Sequence, residues 1–89
     1  MNQYFLKTSP EFRADYKKVR KNFELAKRLE KKVEEITKNP YHYKPLKNIL
    51  KNRRRTHIGS FVLVFEIIEE EKLIVFHRLQ HHDEAYKRD

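Results

Sequence analysis

The chain has no cysteine and no tryptophan, and only one glycine and three prolines in 89 residues. Without cysteine there is no disulfide framework, no thiolate nucleophile and no thiolate metal ligand. With Gly59 as the only glycine, a Gly-rich phosphate-binding loop is excluded. No apolar run approaches the ~18 residues of a membrane helix. The opening MNQYFLKTSPEF lacks a basic start followed by an apolar stretch, so a cytoplasmic protein with no membrane association is expected. One absence is local. Between Glu35 and Glu66 there is no acidic residue, while Lys38, Lys44, Lys47, Lys51, Arg53, Arg54 and Arg55 fall inside that stretch. Nearly all of the net charge of +8 therefore sits there. A field so concentrated attracts a polyanion, and contact with nucleic acid or the ribosome is the reading preferred to a merely solvated basic face.

Hydrophobic and charged residues each make up 38% of the chain, which suits one thin two-layer domain better than a disordered segment. Residues 3–7 (QYFLK) read as a short strand. Ser9-Pro10-Glu11 offers an N-cap, a proline in the first turn and an acid beside it. Phe12, Tyr16, Val19 and Phe23 follow at helical spacing and predict a helix over 10–21. Asn22 can cap a second helix, whose stripe is Leu25 or Ala26, Leu29, Val33 and Ile36. Asn39-Pro40 ends it. Residues 40–51 read as a loop.

The period then falls from 3.6 to 2. Residues 53–58, 61–68 and 73–80 read as three strands, joined by a turn at Gly59-Ser60 and another at residues 69–72. The expected architecture is α+β, in the order β-α-α-β-β-β. A helical hairpin covers one face of a small, mainly antiparallel sheet, in a single domain over residues 1–89. The other face is left for a ligand or partner. Alternation puts Arg53, Arg55 and His57 on one side of their strand and Arg54, Thr56 and Ile58 on the other. On the last strand it separates Arg78 and Gln80 from His77, Leu79 and His81.

The chain closes on IVFHRLQHHDEAYKRD, rich in imidazoles. A metal-free ribonuclease needs a group to take the 2′-hydroxyl proton, a group to protonate the leaving 5′-oxygen, and cations to stabilise charge on phosphorus. Histidine suits both proton roles because its unperturbed pKa is ~6.5. Here histidines, basic residues and aromatic rings are present. Serine and cysteine nucleophile motifs are absent, as is a carboxylate pair beside the basic region to hold magnesium. No metal or other cofactor is expected. His81-His82-Asp83 has ligand-type residues, but adjacent side chains in extended chain point opposite ways. His77, on an apolar strand, reads as a core histidine with a satisfied hydrogen bond. Tyr41 and Tyr43 suit base stacking and local packing equally.

The element order, the phrase PLKN before a basic strand, the hairpin HIGSFVLVFEI and the ending HHDEAY together resemble the RelE/ParE toxin superfamily over nearly the whole chain. That resemblance implies a toxin restrained by a cognate antitoxin, which would present an acidic or amphipathic helix. Many members cut mRNA on the ribosome, and others poison DNA gyrase. The YafQ-like branch implies catalytic roles for His57 and for His82, four residues before Tyr86. Arg54 and Arg78 join them as charge-stabilising groups, with Lys44, Lys47, Lys51, Arg53, Arg55 and His81 binding RNA. The family's hairpin arginine is replaced here by Val62, so Arg53, Arg55 or Arg78 would have to supply its charge. A gyrase inhibitor and a non-catalytic RNA- or ribosome-binding homologue remain the alternatives.

Overall fold

Ser9 and Asn22 decide where the two long helices begin. The Ser9 hydroxyl accepts a hydrogen bond from the Phe12 amide at 3.0 Å, satisfying one of the amides a helix start leaves unpaired. The Asn22 side chain does the same for Leu25 at 3.1 Å. The helices are α1 (Pro10–Val19) and α2 (Phe23–Lys38) in a computed structural model that describes residues 4–46 and 52–85. Helix α1 stops short of the expected residue 21. To cap α2, Asn22 must leave the helical region, and it lies at φ −80, ψ 99.

Five strands follow the order β1-β5-β4-β3-β2. They are β1 (Phe5–Thr8), β2 (Lys44–Pro45), β3 (Arg53–Ile58), β4 (Phe61–Ile68) and β5 (Leu73–His81). Strand β1 runs parallel to β5, and every other pairing is antiparallel. The expected α+β layering is present. The structure adds β2, a two-residue edge strand within the expected loop, where a proline is tolerated because its missing N–H faces outward. It also adds a single turn, α3 (His82–Ala85), after β5.

The helices cover one sheet face. Phe65 and Leu63 of β4, Ile74 of β5 and Ile36 of α2 are fully buried there, with Phe12, Leu25, Leu29, Phe76 and Leu79 packed around them. The rings of Phe12 and Phe65 lie 5.9 and 6.2 Å from that of Phe76. The β3–β4 hairpin turns at Gly59, whose φ of +61 is costly for any residue with a Cβ. A Cβ there would also stand 3.2 Å from the Arg28 guanidinium of α2. Among the described residues no helix is long and apolar enough to cross a membrane.

Candidate nucleic-acid interface

The open face follows from the register. Strand pairing lines up Lys44, Arg55, Val64 and Arg78 in one row across β2, β3, β4 and β5. A second row holds His57, Val62 and Gln80, and a third Arg53, Glu66 and Val75. Paired residues point to the same side of a sheet, and residues two apart on a strand share a face. The three rows therefore share the face opposite the helices. Val62 is only 1% exposed, yet it stands outside the helix-side core cluster, between His57 and Gln80.

His57 and His82 both lie toward the β3–β4 turn at one end of this sheet. His57 lies two residues before the β3–β4 turn. The His82 amide donates to the Ser60 carbonyl at 2.8 Å, so α3 starts against that same turn. His57 stands on β3 and His82 at the start of α3, just past the end of β5. Both residues are exposed. His81, one residue earlier, sets its ring edge-on to Phe61 at 5.6 Å.

The structure corrects the reasoning that dismissed a metal site at the end of β5. The backbone changes from strand to helix at His82, so neighbouring side chains no longer diverge. The His81 and His82 ring centroids are 5.2 Å apart. Each Nδ1 approaches the Asp83 carboxylate, at 3.6 Å from His81 and 3.2 Å from His82.

Two arginines are held by the fold. Arg54 pairs with the core residue Phe65, and so points to the helix side. Its guanidinium donates to the Tyr43 carbonyl at 2.9 Å and lies 5.1 Å over the Tyr41 ring. Its Nε is buried with no hydrogen-bond partner among the described residues. Arg54 thus stands away from Arg53 and Arg55, and Tyr41 and Tyr43 are engaged in local packing. Arg78 donates to both carboxylate oxygens of Asp15, at 2.8 and 3.2 Å, which raises its already high pKa. Its side chain remains 41% exposed. Lys47, Lys51 and Tyr86 lie outside the described residues.

Asp15 is the residue that sequence reasoning missed. It is buried on α1 and also accepts from the Leu79 amide at 2.8 Å. Its signal was an acid three residues after Phe12, on the apolar stripe, where an unpaired charge would be costly. His77 departs from simple alternation. A register shift between Val64 and Phe65 leaves it opposite no β4 residue. Its Nε2 lies 2.8 Å from Glu66, a residue of the open face, instead of joining Leu79 and His81.

At the opposite end of the sheet, Glu69 accepts hydrogen bonds from Lys72, Tyr41 and Tyr4. These bonds, that from Lys72 foremost, lower its carboxyl pKa to about 2.

A family model described as "ParE toxin of type II toxin-antitoxin system, parDE" matches residues 6–86. A Methanocaldococcus jannaschii protein named as a candidate toxin, RelE4, is 51% identical over 59 residues, 65% of this chain and 63% of that protein. The match thus spans less than two thirds of that relative's length. An uncharacterised protein of Methanosarcina mazei is 38% identical over 85 residues, covering 93% of this chain and 99% of its own. Among solved structures, a chain of the E. coli DinJ-YafQ toxin-antitoxin complex is similar with a TM-score of 0.79 at 21% identity, over 96% of this chain and 99% of that one.

Proposed function

Because the chain belongs to the ParE toxin family of the RelE/ParE superfamily, we propose that it is a toxin that cuts mRNA on the ribosome without a metal ion. The observation that carries this reading is the pair of exposed imidazoles, His57 and His82, at one end of a sheet face that also holds Lys44, Arg53 and Arg55.

One imidazole takes the proton from the 2′-hydroxyl, whose oxygen attacks phosphorus. The other gives a proton to the departing 5′-oxygen as the P–O5′ bond breaks. Lys44, Arg53 and Arg55 hold the phosphates, and Lys47, Lys51 and His81 are the further RNA-binding candidates that the family resemblance implies. Arg78, fixed by Asp15, offers the positive charge that Val62 lacks. Arg54 supports the site from behind by holding the Tyr41–Tyr43 segment in place. Tyr86 would stack on a base or orient the 2′-hydroxyl. The product is a 2′,3′-cyclic phosphate or its 3′-phosphate hydrolysis product. Mapping mRNA ends after adding the protein to translating ribosomes tests this. Cleavage should persist in EDTA, and activity restored only by Mg²⁺ or Mn²⁺ would overturn the metal-free chemistry.

An antitoxin is the expected partner. A groove of about 1040 Å³ runs between the two long helices and β1, lined by Leu6, Phe12, Phe23 and Val33. Arg13 and Lys17 also border it. The groove suits an amphipathic helix with acidic flanks. Co-purification with the product of an adjacent reading frame checks this.

The buried Val62, where relatives with nuclease activity keep an arginine, favours a second reading. In it the protein binds RNA or the ribosome without cutting, or inhibits gyrase. Intact mRNA in the ribosome assay, together with inhibition in a supercoiling assay, would select the gyrase branch.

A further inference from the structure

We propose that His81, His82 and Asp83 form a site for a divalent transition-metal ion, Zn²⁺ foremost, and that the ion blocks the proton-transfer role of His82. The blocking half rests on the nuclease reading above, and the binding half does not. Among the described residues, these three form the one group whose donor atoms converge for a metal, all within 4.8 Å of one another. Around a tetrahedral Zn²⁺ with bonds of ~2.0–2.1 Å, neighbouring donors stand ~3.4 Å apart. The histidine-to-carboxylate separations are of that size, 3.6 Å from His81 Nδ1 to one Asp83 oxygen and 3.2 Å from His82 Nδ1 to the other, so a small rotation of the exposed carboxylate brings one oxygen to both.

The local backbone supports this arrangement. The β5-to-α3 transition turns consecutive side chains toward one another. The His82 amide is tied to Ser60, and the edge of the Phe61 ring limits the His81 ring. The Asp83 amide lies 3.3 Å from His81 Nδ1, a long contact that the metal would replace. Two imidazoles and one carboxylate leave a fourth position for water and select Zn²⁺ or Cu²⁺ over Mg²⁺, which prefers oxygen donors and keeps its own water. An ion so placed takes the Nδ1 lone pair of His82, so Nε2 keeps its hydrogen with no lone pair to accept a proton, and the ring cannot become the imidazolium that would donate one.

Titrating untagged protein with ZnCl₂ in a calorimeter tests the site. Saturable one-to-one binding in the micromolar range is expected for the wild type, and no heat from MgCl₂. His81→Ala and Asp83→Ala should each weaken zinc binding at least tenfold, with circular dichroism unchanged. Absence of saturable zinc binding, or wild-type affinity in both variants, overturns the proposal. For the blocking half, zinc should slow single-turnover cleavage by the wild type in parallel with occupancy. Asp83→Ala should need at least tenfold more zinc for the same slowing relative to its own metal-free rate. Undiminished cleavage at full occupancy overturns that half. No cleavage by metal-free protein counts against the nuclease reading alone, because the calorimetric result stands by itself.

Discussion

The two ends of the sheet use similar residues to opposite effect. At the Glu69 end, a carboxylate accepts bonds from two phenols and an ammonium, so its charge is spent within the fold. At the His82 end, a carboxylate faces two imidazoles, and the side chains stay open to solvent. One end fixes β1 and the residues after α2 to the β4–β5 turn. The other has side chains that contact one another at the surface, outside the core. The same division separates the two sides of β3, where Arg54 is packed and Arg55 lies on the open face.

The largest test of this contrast is at the histidines. His82→Ala and His57→Ala are each expected to lower the single-turnover cleavage rate by ~10²–10⁴-fold. Thermal melts should stay near the wild-type value, because neither ring is in the core. Wild-type rates in both variants would make the tail a binding surface and move the non-catalytic reading ahead.

Next is Asp15→Ala, which removes the acceptor of the buried Leu79 amide as well as the Arg78 partner. Leaving a buried amide unsatisfied costs ~1–3 kcal/mol. Urea denaturation should show a loss of about 2 kcal/mol, within that same range. Cleavage should fall less than in the histidine variants, since Arg78 keeps its charge and loses only its fixed position.

The arginine pair gives a finer test. Arg55→Ala should reduce the salt dependence of RNA affinity by the equivalent of about one phosphate contact. Arg54→Ala should instead cost ~1 kcal/mol of stability through the lost Tyr43 bond and Tyr41 stacking, with the salt slope intact. Equal salt slopes for the two variants would erase the proposed division of β3.

The smallest effect is read by carboxyl NMR. Glu69 should titrate at about 2, down from an ordinary 4.5. A pKa lowered by folding means that the ionised form favours the fold. That contribution is complete above the unfolded pKa, and it fades as pH falls from about 4.5 toward 2. Tyr41→Phe and Tyr4→Phe should each move the titration upward. An ordinary Glu69 pKa in the wild type would mean that this end is as open as the other.

Much of the architecture was legible because it rests on local chemistry. Ser9 and Asn22 set the helix starts, Gly59 set the hairpin, and alternation set the three long strands to within a residue or so. Strand β2 was not legible, because two residues carry no period. The position of His77 was not legible either, since a bulge changes facing without leaving a mark in composition. Alternation had already put Arg54 opposite Arg53 and Arg55. The family resemblance pulled it back into the site, and the packed guanidinium favours the simpler reading. The convergence of His81 and His82 was missed for one reason, the assumption that the chain stays extended past Gln80. Asp15 shows the reverse case, in which one acid on an apolar stripe pointed to a partner that only tertiary structure could supply.

The parallel pairing of β1 with β5 also sets an order of events during synthesis. Residues 5–8 pair with residues 73–76, and α1 packs its Phe12 ring and Asp15 carboxylate on Phe76 and Leu79. Nothing made earlier in the chain can take the place of β5, because it separates β1 from β4 in the middle of the sheet. Contacts spanning such sequence distances form late, since their loop-closure entropy must be met first. A nascent chain therefore carries its basic stretch, complete at residue 55, without the platform that positions it until residues 73–81 have been made. The proposed pairing of His57 with His82 waits on the same strand that closes the fold.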